Sequence, residues 1–118
     1  MTQTIINEDC ITGLKKIDGN TVHLTWTSPP YYNAKSYSEW ETYDDYLNFL
    51  REVFTEIFRV TKDGRMCIVN LSPVIVQRES RSSESKRLPI PYDFFPIMKE
   101  IGWKYLDDIV WEIGRAHV

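Results

Sequence analysis

Thr27-Ser28-Pro29-Pro30-Tyr31-Tyr32 places two hydroxyls, two prolines and two phenol rings in six consecutive residues. Consecutive prolines fix φ twice and remove two N–H donors, so the stretch is stiff and its carbonyls remain as acceptors aimed in set directions. Ser28 adds a hydroxyl that can accept or donate. Tyr31 and Tyr32 offer flat faces on which a planar heterocycle could stack. A rigid acceptor pair beside an aromatic platform suits a planar ring that bears an exocyclic NH2. On spacing alone, a Pro-Pro turn with both tyrosines packed against the domain fits equally well. Metal chemistry is not expected, because His23 and His117 have no partner at ligand spacing.

The elements that must hold this stretch read as alternating strands and helices, which argues for an α/β layer structure. Residues 21–27 form a strand candidate with Val22, Leu24 and Trp26 on one face, ended by the two prolines. It is expected to be central in the sheet, which would put Ser28 at a carboxyl-end crevice where open α/β sheets bind ligands. Thr4-Ile5-Ile6-Asn7 is a short strand candidate upstream. Ile11, Leu14 and Ile17 follow at helical spacing, closed by an Asp18-Gly19-Asn20 turn. The clearest helix runs over 43–60, where Tyr43, Tyr46, Leu47, Leu50, Val53, Phe54 and Ile57 make a 3.6-period stripe. Thr42 is its expected N-cap, with Asp44 and Asp45 in the first turn. Asp63-Gly64 is expected as the exit, and 65–71 as a buried strand. A second amphipathic helix is expected over 92–101, entered through Pro91 and stopped at Gly102, and 104–111 is a last strand candidate. Residues 78–88, rich in serine and charge, are expected to form a mobile loop that makes no core contact yet can meet substrate.

Composition bounds the function. The chain has 118 residues, with 42% hydrophobic and 26% charged, an ordinary globular balance that suits one domain or a piece of one. Its apolar runs are too short for a membrane span, and Met1-Thr2-Gln3-Thr4 lacks the pattern of a signal peptide. Cys10 and Cys67 suit a reducing cytoplasm rather than a disulfide framework. The formal net charge of −3 excludes a chain that binds nucleic acid by bulk charge, so any such contact must come from a local patch.

Ser28-Pro29-Pro30-Tyr31 after an apolar strand resembles motif IV of the DNA amino-methyltransferases, which methylate N4 of cytosine or N6 of adenine. The similarity extends along nearly the whole chain. Asn7-Glu8-Asp9-Cys10 resembles the acidic segment that precedes motif IV in permuted members. Arg59-Val60-Thr61-Lys62-Asp63-Gly64-Arg65 resembles their helix-to-strand stretch. Ser85-Lys86-Arg87-Leu88-Pro89-Ile90-Pro91 and Ile109-Val110-Trp111-Glu112 are similar to further family segments.

The resemblance implies a partial Rossmann-like sheet with flanking helices and S-adenosylmethionine as cofactor. Its implied partner is double-stranded DNA with the target base flipped out, alongside, in restriction–modification pairs, a restriction endonuclease. By the same analogy Ser28 and the Pro29 carbonyl would hold the exocyclic amine, Pro30 would complete the motif, and Tyr31 would stack on the base. Asp9 and the Cys10 backbone would face the adenine ring of the cofactor. The alternative for Asp9 is a helix N-cap. No cysteine nucleophile is required when an amine attacks.

Two departures from the family pattern stand out. Trp26 replaces the usual aliphatic residue, and none of the five glycines forms a Phe-x-Gly-x-Gly turn. The expectation is therefore an N-terminal part of the catalytic domain over 1–112, weak in cofactor binding by itself. Residues 113–118 are expected to be a non-native tail, since Glu112 to Val118 can be back-translated into common sequencing-adapter DNA. Serine at the head of the motif is associated with cytosine N4 methylation. N6-adenine methylation is the alternative, and a non-catalytic base-binding module is the rival of another class.

Overall fold

The computed structural model describes residues 2–32, 40–76, 81–82 and 86–112. The element order is α1 (Cys10–Lys15), β1 (Val22–Thr27), α2 (Tyr43–Val60), β2 (Thr61–Val69), β3 (Val74–Val76), β4 (Lys86–Leu88) and α3 (Ile90–Ile101). The strands β1 and β2 are parallel neighbours, and β3 pairs antiparallel with β4. The expected mixture of helices with a parallel sheet is present. Among the described residues, however, β1 has β2 as its single partner, so it is not flanked on both sides as a central strand would be.

The helix α2 is the spine of the core. Its first turn is capped as expected: Thr42 Oγ1 accepts from the Asp45 N–H at 3.0 Å, and Asp44 and Asp45 face the positive end of the helix dipole. Tyr46, Leu50, Val53, Phe54 and Ile57 bury its stripe together with Ile90 and Phe94 of α3. The Phe54 and Phe94 rings meet edge to face at 4.9 Å. Proline in the first turn of α3 costs no helical hydrogen bond, because that N–H has no partner in any helix. At the far end Gly102 takes φ +124°, and a Cβ there would come within 3.0 Å of the Phe58 ring. Glycine is needed on both counts. The following residue, Trp103, donates from Nε1 to the Phe54 carbonyl at 3.3 Å.

The chain passes from α2 into β2 without a loop. Thr61 donates its N–H to the last turn and its hydroxyl to the Ile57 carbonyl at 2.6 Å, then begins the strand. Asp63-Gly64 is thus not the exit from the helix. It lies in an irregularity within β2, where the register passes from Val22↔Thr61 to Leu24↔Met66. Gly64 supplies the left-handed φ of +76° there, and the Asn20 side chain accepts from the Asp63 N–H at 3.1 Å. The strand therefore spans 61–69 rather than 65–71, and Arg65 and Met66 are exposed.

Three further expectations are corrected. Residues 2–7 form no strand, and Ile5 is 93% exposed. Residues 104–111 form none either, with Ile109 and Val110 among the most exposed side chains. Both segments have strand-like composition, but strand propensity is realised only against a partner. The third is the loop over 78–88: its last residues, 86–88, are a strand, because Arg87 and its neighbours pair with β3 around Ile75↔Arg87. Arg81 and Ser82 form a turn, while 77–80 and 83–85 lie outside the described residues, as does the expected tail at 113–118. Val22, Leu24 and Trp26 do share a face of β1, yet Leu24, Trp26 and the neighbouring Met66 are exposed. No helix of the described residues is long and apolar enough to cross a membrane.

Candidate active site

The residue pair Thr27↔Val69 closes the parallel ladder. The next residues, Ser28 and Asn70, therefore emerge side by side at the carboxyl ends of the two strands. The Asn70 N–H donates to the Thr27 carbonyl at 2.9 Å, and the Ser28 hydroxyl donates to the Asn70 carbonyl across 3.3 Å, a long but directed bond. A serine hydroxyl has one hydrogen and two lone pairs. With the hydrogen turned towards Asn70, the hydroxyl of this exposed residue keeps its two lone pairs as acceptors.

Pro29 is buried and Pro30 exposed, so the first ring wedges the loop against the domain. The Pro30 carbonyl accepts from the Tyr46 hydroxyl at 2.7 Å. Among the described residues no donor reaches the Pro29 carbonyl. Of the two acceptors that the Pro-Pro pair leaves, that of Pro30 is tied to the core.

The two tyrosines part company. Tyr32 packs on α2, with ring centroids 5.5 Å from Tyr43 and 5.6 Å from Tyr46. The packed-turn reading is therefore the right one for Tyr32, which is not a free platform. Tyr31 is half-exposed. Trp40 meets Tyr46 at 4.9 Å and Phe49 at 5.3 Å, which completes an aromatic floor beneath the loop. The Tyr43 hydroxyl donates to Asp93 at 2.8 Å, joining this floor to α3. Burial and the Asp93 carboxylate push the Tyr43 phenol well above its ordinary range.

Asp9 is the N-cap of α1. Its Oδ2 accepts from the N–H groups of Ile11 at 3.1 Å and Thr12 at 3.2 Å. Among the described residues its Oδ1 takes no hydrogen bond, so capping leaves one carboxylate oxygen for a ligand. An adenine amine is a donor that this oxygen would suit. Cys10 follows, exposed, its thiol pushed up by partial burial and by the Asp9 carboxylate. The Glu52 carboxylate also bears on Cys10, while the Leu14 carbonyl accepts from Arg59 at 2.9 Å. The helix α1 thus packs against α2. No hydrogen bond among the described residues joins Asp9 or Cys10 to Ser28–Tyr31.

Sequence reasoning missed Asn70 and Tyr46 as parts of the site. Asn70 carries no local signal, because it acts through its backbone. Tyr46 had one: a tyrosine in the middle of a buried stripe needs a partner for its hydroxyl.

A family model described as DNA methylase, of the N6/N4 type, matches residues 22–115. The chain is 31% identical over 114 residues to the type II beta methyltransferase M.BslI of Bacillus sp. (strain NEB-606), a match that covers 94% of this chain and 12% of that protein. It is 37% identical over 73 residues to the DNA adenine methyltransferase YhdJ of Escherichia coli (strain K12), covering 58% of this chain and 24% of that one. Among solved structures it superposes on TTHA0409 of Thermus thermophilus, described as a DNA modification methylase. That match has a TM-score of 0.73 at 27% identity and covers 87% of this chain and 42% of the other. The same protein solved in complex with S-adenosyl-L-methionine matches with a TM-score of 0.69. The chain thus spans less than half the length of each of these proteins.

Proposed function

The chain belongs to the family of N6/N4 DNA methylases, and from that premise we propose that residues 1–112 form part of the catalytic domain of an enzyme that methylates N4 of cytosine in DNA. The observation that carries the reading is the Ser28 hydroxyl, which donates to the Asn70 carbonyl and so keeps its lone pairs as acceptors, one residue before the Pro29 carbonyl. Two adjacent acceptors are what an exocyclic NH2 requires, because it brings two N–H donors.

S-adenosylmethionine, when bound, supplies the electrophilic methyl group. Ser28 and Pro29 would accept the two amine hydrogens and so turn the nitrogen lone pair away from the loop, where it is free to attack. Their acceptor character also stabilises the positive charge that the amine nitrogen gains on alkylation, before its surplus proton passes to solvent. Tyr31 stacks on the flipped base and holds the ring plane. Asp9 Oδ1 and the Cys10 backbone hold the adenine of the cofactor. Positioning and electrostatics supply the rate enhancement, with no covalent intermediate on the protein. Lys86 and Arg87, exposed on β4, meet DNA phosphates. A restriction endonuclease of matching specificity and a cytoplasmic location complete the reading.

Serine in the first position of the motif favours cytosine. The similarity to an adenine enzyme, YhdJ, favours N6 of adenine as the second reading. The test is mass spectrometry of nucleosides from duplex DNA incubated with S-adenosylmethionine and a full gene product that carries this segment. N4-methylcytosine is expected. N6-methyladenine alone overturns the choice of base, and DNA binding without methylation favours a non-catalytic module.

A further inference from the structure

We propose that Tyr46 is a positioning residue for methyl transfer: its hydroxyl fixes ψ of Pro30, a soft backbone torsion between the Ser28 and Pro29 acceptors and the Tyr31 ring. The inference rests on the reading of Ser28–Tyr31 as the base-holding loop and adds a residue outside the motif.

Few torsions of this loop are free. Proline rings fix φ at 29 and at 30. A residue that precedes proline is confined to extended backbone, which restricts ψ of Ser28 and ψ of Pro29. Ser28 is further held by its bond to Asn70. Pro30 is followed by Tyr31, so its ψ is not restricted in this way. Rotation about that bond turns the Pro30 carbonyl and swings Tyr31 relative to the two acceptors. The Tyr46 hydroxyl grips that carbonyl at 2.7 Å.

Tyr46 is built to hold still. It is 0% exposed, sits near the start of the long α2 helix, and is enclosed by Tyr32, Trp40 and Tyr43. Burial pushes its phenol up to about 12, so it remains a donor throughout the neutral range. A hydrogen bond from a rigid helix to a stiff loop carries the geometry of the core into the site.

The test uses an active methyltransferase that carries this segment. Tyr46→Phe keeps the ring and removes only the donor. We expect kcat to fall roughly ten- to a hundredfold, as for small misplacements of reacting groups, with KM for S-adenosylmethionine unchanged and the folded fraction matched to wild type. In a Tyr31→Ala background the same change should have little further effect, because a positioning residue acts through the residue it positions. Unchanged kcat in Tyr46→Phe overturns the proposal, as does a full multiplicative loss in the double variant. If Tyr46→Phe does not fold, 3,5-difluorotyrosine at this position lowers the phenol pKa in place. The alkaline limb of kcat should then move to lower pH, and an unmoved limb overturns the proposal. Ser28→Ala and Tyr31→Ala serve as controls: if both retain full activity, the reading of the loop itself fails, independently of Tyr46.

Discussion

The hydroxyl of Ser28 donates to the carbonyl of Asn70 at 3.3 Å, although the two residues are 42 positions apart. Each is the first residue beyond the end of a parallel strand, and the ladder brings them together. The bond directs the only hydrogen of the hydroxyl inward. Ser28→Ala should therefore remove an acceptor from the site with little effect on the fold. We expect kcat to drop by about tenfold or more, the worth of one hydrogen bond to a group under reaction, while thermal melting of the variant stays close to that of wild type.

Tyr31 and Tyr32 should respond differently to truncation. Tyr31→Ala is expected to cost about 1–3 kcal/mol of base binding, with Tyr31→Phe much milder because the ring face survives. Tyr32→Ala should act mainly on stability, since its ring lies against Tyr43 and Tyr46. Fluorescence titration with a base-analogue duplex, read beside a melting curve, separates the two.

Asp9 caps α1, and the proposed function gives it a second, separable task. Asp9→Ala should cost about 0.5–2 kcal/mol by uncapping α1 and should also weaken cofactor binding. Asp9→Ser keeps a capping oxygen but lacks the second carboxylate oxygen. It should melt near wild type and still bind S-adenosylmethionine less tightly in calorimetric titration. Equal cofactor affinity in Asp9→Ser and wild type would reduce Asp9 to a cap.

Lys86 and Arg87 project from β4, and the described residues give neither an ion-pair partner. If each meets one phosphate, the double alanine variant should lower the magnitude of the salt slope of DNA binding by about 1.8. An unchanged slope in affinity measurements over a salt series would remove β4 from the interface.

Alkaline stability should follow Cys67, whose thiol is pushed from 9.0 up to about 11 by burial. A raised folded-state value means that the contribution is fully present below pH 9.0 and is lost as pH rises through about 11. Stability measured by denaturant titration should fall across that window, and Cys67→Ala should flatten the fall.

How much of this was legible in the residues follows from range. The helix α2 was readable to its ends, since a 3.6-period stripe and a Thr42 cap are written within one segment. The loop Ser28–Tyr31 was equally legible, because proline stiffness needs no partner. What lay beyond local pattern was everything that depends on a neighbour. Residues 4–7 and 104–111 have strand-like composition, yet no strand forms without a ladder to join. Asp63-Gly64 looks like a turn in sequence and becomes an irregularity inside β2, because Thr61 already pairs with Val22. Composition alone left 86–88 in a loop, whereas pairing with β3 makes it a strand. The same reason governs the site. Sequence supplied the acceptors and the rings, but only tertiary structure decided that Ser28 would turn its hydrogen to Asn70 and that Tyr46 would grip Pro30 from 16 residues away. Hydrogen-bond direction is a property of what the fold places within reach.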